Sequence, residues 1–131
     1  MELSNSSRKD IGNLGEQIAA EYLRRRGFTV VDRNIVRKTG ELDVVARKGD
    51  VLHVVEVKTV LCDSFPNDAT SDDQYDPSVN LHAHKIQKVA RTAEWYVASK
   101  DWKGEWQVDG ILVWLRAHDG LARVRYFPQI L

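Results

Sequence analysis

Asp43 and Glu56 stand thirteen residues apart, each inside a short apolar stretch, and Lys58 follows Glu56 with one valine between them. In a β-strand, residues i and i+2 share a face. Glu56 and Lys58 therefore emerge side by side while Val55 and Val57 point the other way. Glu41 and Asp43 do the same on the preceding stretch, with Leu42 and Val44 opposite. The turn Arg47-Lys48-Gly49-Asp50 joins the two stretches into a hairpin that brings Asp43, Glu56 and Lys58 to one face. A hard divalent cation takes oxygen ligands, commonly one or two carboxylates with waters and substrate phosphate. Held there, it would polarise a scissile phosphate and lower the pKa of a bound water. Lys58 would orient that water or offset charge building on phosphorus. This is equipment for phosphodiester hydrolysis. The same residues also suit a plain cross-strand ladder in which Lys58 neutralises Glu56 or Asp43.

A fourth chemical residue comes from the helix expected over 11–26. At about 100° per residue, its polar arc holds Asn13, Gln17, Glu21 and Arg24, whereas Glu16 falls beside Ala19, Ala20 and Leu23. A carboxylate on that side needs a cation or strong hydrogen bonds, which makes Glu16 a candidate metal ligand or partner of a bound water. The helix dipole equally favours a Glu in the first turn. Arg33 and Asn34 follow the next strand, and Arg is a natural clamp for phosphate; Arg33 could instead pair with Asp32 or Glu41. Arg37 and Lys38 lie nearby, and Lys85, Lys88 and Arg91 occupy one flank of a second helix, continued by Thr92 and Trp95. These cations could track a nucleic-acid backbone or form a solvated face. His53, His82, His84 and His118 show no zinc-ligand spacing and are not counted as catalytic. Trp95, Trp102, Trp106 and Trp114 read as packing residues. Gly12-x-x-Gly15 lacks a preceding strand and fails as a dinucleotide fingerprint.

The elements that must position these residues follow from periodicity. A helix over 11–26 stops at Gly27, and a strand over 28–31 ends near Asp32-Arg33-Asn34. Strands over 41–46 and 51–60 form the hairpin; the second is apolar on both faces, which suits a central, doubly covered position. Residues 61–79, with Pro66, Pro77 and many Asp and Ser, read as a long acidic loop. A helix over 81–99 and strands over 106–115 and 121–127 complete the order α-β-β-β-α-β-β, an α/β sandwich with a mixed sheet. Residues 1–10 read as a flexible lead and 11–131 as one domain.

Composition sets few limits on this reading. The chain of 131 residues is 43% hydrophobic and 29% charged, as in an ordinary globular protein. No apolar run is long enough to span a bilayer, and the polar start lacks a signal-peptide core, so a cytoplasmic location is the expectation. Cys62 is the only cysteine, which excludes a disulfide framework. The 19 basic and 19 acidic residues cancel, which is unusual for a nucleic-acid binder. However, Asp63, Asp68, Asp72, Asp73 and Asp76 crowd into one segment. Without those five acids the rest carries a surplus of five positive charges.

Gly15-Glu16 with Ala19 to Tyr22-Leu23, then Gly27, Arg33-Asn34, Gly40-Glu41-Leu42-Asp43 and Val55-Glu56-Val57-Lys58-Thr59 resemble the YraN-like family of bacterial endonuclease candidates. The likeness continues through Lys85 and Arg91 to Tyr96 and into Val108-Asp109-Gly110. That family is similar to the PD-(D/E)XK nucleases and, in arrangement, to Holliday-junction resolvases. The resemblance implies a restriction-endonuclease-like fold with Asp43, Glu56 and Lys58 as the active-site core and Glu16 as the helix-borne acid. It also implies Mg²⁺ or Mn²⁺ and a DNA substrate, branched or otherwise structured; two cuts in a symmetric junction would favour a homodimer. Val60 and Val36 stand where the family often has basic or polar residues, and the acidic segment is long. Two other readings fit the same chain: a non-catalytic nucleic-acid-binding module, and an interaction protein working through its acidic loop.

Overall fold

The computed structural model describes residues 1–66 and 83–131. Helix α1 (Arg8–Arg25) is capped by Ser7, whose Oγ accepts the Asp10 N–H at 3.1 Å; the cap satisfies one donor that the first turn leaves unpaired. Strands β1 (Thr29–Arg37), β2 (Gly40–Lys48) and β3 (Val51–Cys62) form an antiparallel meander. Helix α2 (Ala83–Ser99) lies in the crossover that lets β4 (Glu105–Arg116) run parallel to β3. Strand β5 (Ala122–Phe127) returns antiparallel to β4. The sheet order β1-β2-β3-β4-β5 is mixed, as the α-β-β-β-α-β-β reading requires.

β3 sits in the middle and is covered on both faces. Val55, Val44, Ile111, Val113 and Leu115 pack beneath Ala19 and Leu23 of α1, while Val54, Leu42, Val45, Leu52 and Val108 pack beneath Val89, Ala93 and Tyr96 of α2. Adjacent valines thus serve opposite cores. Helix α1 approaches the sheet closely at Gly15, where an added Cβ would lie 1.9 Å from Thr59 Oγ1. A fully buried Asp109 ties the far end of the sheet together. Its Oδ2 pairs with His53 Nδ1 (2.6 Å) and accepts from the Tyr126 hydroxyl (2.5 Å); Oδ1 accepts from Gln107 Nε2 (2.7 Å) and the Gln129 N–H (2.9 Å).

Three expectations are corrected. β1 does not end near Asp32 but continues to Arg37, so Arg33 and Asn34 lie inside it. A register shift between Val30 and Asp32 and a φ of 54° at Asn34 absorb the irregularity that reads as a strand end. The N-terminal residues are not a loose lead: Leu3 is 4% exposed, its N–H donates to Ala117 O at 2.7 Å, and the Met1 ammonium donates to Asp119 O at 3.0 Å. Thr92 is buried rather than on the solvated flank of α2. The acidic segment begins after β3, and its residues 67–79 lie outside the described residues, as do Leu81 and His82. Among the described residues no helix is long and apolar enough to cross a membrane.

Candidate active site

Regular pairing of β2 with β3 ends at Val44↔Val55. Beyond it β2 follows β1 to Gly40, while β3 follows β4 to Cys62. The two strands part, and Asp43 and Glu56 stand at the base of the fork. Asp43 Oδ2 accepts the Val57 N–H at 2.8 Å, satisfying a backbone donor beyond the end of the ladder. Glu56 is only 4% exposed. Both carboxylates line a cavity of about 180 Å³ with Gly40, Glu41, Lys88 and Val89.

Lys58 and Glu16 line a second, larger hollow of about 680 Å³, together with Arg8, Ser6 and Thr59. Val57 links the two, lining the second hollow while its N–H donates to the Asp43 carboxylate of the first. Glu16 lies on the sheet side of α1 as its position on the wheel requires, and its Oε1 is buried without a hydrogen-bond partner. Burial first, and then the nearby Asp43 carboxylate, pushes its carboxyl up to about 6, against the pull of Arg33.

A titration prediction follows from that shift. The native state holds the Glu16 proton more tightly than the unfolded chain does, so the stability tied to it is full below about pH 4.5 and declines as pH rises to about 6. Glu16→Gln should therefore gain on the wild type between those values and hold a constant lead above them. Urea midpoints of both proteins from pH 4.5 to 7.5 measure this, and parallel curves would refute it.

The cations divide into distinct groups. Arg33 faces Val44 across the ladder on the α1 side, and its Nε is buried without a partner. Lys88 reaches the carboxylate cavity from α2. The Arg37 guanidinium lies 3.9 Å over the Trp95 ring, and Lys38 is exposed at the following turn. Arg91 is exposed on α2, whereas the Lys85 side chain lies outside the described residues. Asn34 is exposed and serves the backbone irregularity of β1. Arg24 and Arg25 approach Glu21 at 3.7 and 3.6 Å, away from both hollows. Arg8 was not singled out from the sequence. Its signal is a cation in the first turn, against the helix dipole.

Among the described residues no three His, Cys, Asp or Glu side chains stand close enough to cage a metal ion. The direct three-acid set of Asp43, Glu56 and Glu16 is therefore not assembled. Two carboxylates in one small cavity do fit an open Mg²⁺ or Mn²⁺ site, which commonly uses one or two carboxylates and leaves positions for water and phosphate. The buried Glu16 Oε1 and Arg33 Nε each lack a hydrogen-bond partner, and Glu16 lines the neighbouring hollow rather than the carboxylate cavity.

A mixed sheet between two helices, forked where Asp43 and Glu56 share a cavity with Lys88, is consistent with the nuclease-like α/β sandwich. Residues 15–113 match the family described as Uncharacterised protein family UPF0102. The chain belongs to UPF0102, the YraN-like group whose motifs it resembles. A UPF0102 protein of Sulfurovum sp. (strain NBC37-1) is 34% identical over 80% of this chain and 84% of its own length. One from Campylobacter fetus subsp. fetus (strain 82-40) is 36% identical over 78% and 81%. Another from Helicobacter pylori (strain HPAG1) is 31% identical over 86% and 89%.

Proposed function

We propose that this chain is a divalent-metal-dependent nuclease that hydrolyses phosphodiester bonds in DNA. The observation that carries the reading is the fork between β2 and β3, with Asp43 and Glu56 sharing one cavity at its base. These two carboxylates would hold Mg²⁺ or Mn²⁺. Bound there, the ion supplies Lewis acidity toward phosphate and activation of water at neutral pH. The chain's own residues do the rest. The Val57 N–H fixes the Asp43 carboxylate before substrate arrives, so little reorganisation is required. Lys88 and Lys58 bring positive charge from either side toward a phosphate at the fork. Arg33 sets positive charge near Glu16, and Glu16, with its carboxyl near 6, can hold or release a proton close to working pH.

DNA is the polyanion that Lys88, Arg91, Arg37 and Lys38 fit as a run of phosphate contacts. Branched DNA is the preferred form by family resemblance, with a two-fold dimer making paired cuts.

The test is cleavage of linear duplex, single-stranded, flap and four-way-junction DNA with Mg²⁺ or Mn²⁺. Asp43→Asn keeps an acceptor for the Val57 N–H, and Lys58→Ala alters an exposed side chain, so both should fold. Each should lower the rate by about a hundredfold or more, the scale set by loss of a group aligned on transition-state charge, and a chelator should abolish cutting. Absence of cutting on every substrate, with DNA binding intact in wild type and variants, would leave a binding module instead.

A further inference from the structure

We infer that the β1–β2 turn and Trp95 of α2 form a stacking platform for an unpaired nucleotide beside the carboxylate cavity, so that nucleic acid with unpaired bases is the substrate class. The inference rests on the nucleic-acid reading above and extends it to substrate form. Val36, Arg37, Lys38, Thr39 and Trp95 line a cavity of about 530 Å³. The Arg37 guanidinium carbon lies 3.9 Å from the centre of the Trp95 ring, has no acidic partner among the described residues, and belongs to an exposed side chain. Val36 beside it is 68% exposed, an unusual place for a branched apolar side chain at the tip of a hairpin.

The platform is anchored. Thr92 Oγ1 donates to Lys88 O at 2.9 Å. Its one proton is therefore committed, and Thr39 must be the donor in the 2.7 Å Thr39–Thr92 hydroxyl contact. Gly40, with φ of 152°, presses so close to α2 that a Cβ would sit 3.2 Å from Thr92 Oγ1 and 3.3 Å from Lys88 Cβ. Thr39–Gly40 is thus a fixed partition, with the platform on one side and the cavity of Asp43, Glu56 and Lys88 on the other.

The chemistry of the occupant follows from the wall. A base inside a duplex hides its faces in the stack, whereas an unpaired base presents one, and such faces stack on aromatic rings and Arg planes. An exposed apolar side chain next to the platform suits a wedge at the last stacked step. Lys38 and Lys88 match the charge of the adjoining backbone.

The test is fluorescence anisotropy in excess chelator, where nothing is cut, with a labelled single strand and a blunt duplex of equal length. Arg37→Lys keeps the charge and removes the plane. It should weaken single-strand binding roughly fivefold or more, the scale of one lost stacking contact, and duplex binding by less than about twofold, because the phosphate charge is kept. Trp95→Leu, which retains apolar bulk against the core, should show the same selectivity. Equal losses on both probes, no loss in Arg37→Lys, or no binding of either probe by the wild type would each overturn the inference. Selective binding with no cutting in the cleavage assay would remove the nuclease reading and leave the platform. Cutting by the wild type with no selective loss in Arg37→Lys would do the reverse.

Discussion

Asp109→Ala should lower the melting temperature by about 10 °C or more, or prevent folding altogether. Asp109 is fully buried and meets four partners: His53, Tyr126, Gln107 and the Gln129 N–H. Removing it takes the acceptor from all four at once, with His53 left buried and Tyr126 and Gln107 only partly open to water. Deleting one member of a buried charged network costs about 3–5 kcal/mol, because the remaining groups keep their desolvation penalty. That is a large share of the roughly 5–15 kcal/mol that holds a domain folded. Tyr126→Phe provides the calibration. It removes one donor of the four and should cost only about 1 kcal/mol. The Tyr126 phenol is held above its ordinary pKa by burial and then by its bond to Asp109, so it stays a neutral donor across the usual pH range. Urea and thermal unfolding of both variants measure the difference. Equal, small effects would mean that the network is dispensable and that apolar packing alone holds β3, β4 and β5 in register.

The second large effect concerns a single methyl group. On an open helix, Gly→Ala stabilises by about 1 kcal/mol. Gly12 meets that condition, with nothing within 4 Å of its added Cβ, so Gly12→Ala should stabilise the protein by about 0.5–1 kcal/mol. Gly15, one turn along the same helix, should show the opposite sign. Its Cβ would fall 1.9 Å from Thr59 Oγ1 and 2.8 Å from Thr59 Cβ, and no rotation of Thr59 moves its own Cβ away. Overpacking of this kind costs about 1–3 kcal/mol, enough to outweigh the propensity gain. Combining Gly15→Ala with Thr59→Gly should recover part of the loss, a coupling measurable in a double-mutant cycle. Stabilisation by Gly15→Ala alone would show that α1 does not rest on β3 at this point. Displacing α1 also moves Glu16, the next residue, so the glycine sets where that carboxyl sits relative to Asp43.

Much of this arrangement was legible from residue order. The period-2 pattern of Val54-Val55-Glu56-Val57 gave a central strand because both faces are apolar, and both faces are covered. The wheel position of Glu16 beside Ala19, Ala20 and Leu23 gave its inward orientation, and because α1 begins at Arg8 the alternative of a first-turn Glu held by the helix dipole falls away. What escaped was whatever depends on three-dimensional partners. The fork at Val44↔Val55 leaves no local trace, because strand divergence is decided by what β1 and β4 do on either side. β1 read as short because a bulge and a left-handed Asn34 break its alternation. Thr92 looked solvent-facing because its neighbours on the helix are polar, yet it is buried by the turn that docks against it. Asp109 carried no visible sign of burial, its donors coming from four separate places in the chain.

The parallel pairing of β3 with β4 has a consequence for how the protein is made. Antiparallel neighbours joined by short turns close small loops, whereas β4 must return across the whole crossover, at a greater cost in chain entropy. Helix α1 and strands β1 to β3 occupy residues 8–62 and carry Glu16, Arg33, Asp43, Glu56 and Lys58 together. During synthesis from the N-terminus all five leave the ribosome before α2 exists. At that stage the sheet face of Leu42, Val45, Leu52 and Val54 has no cover. The half-built protein thus holds its candidate site residues early and its shelter late, and the docking of β4 and α2 is the step that covers the exposed strands.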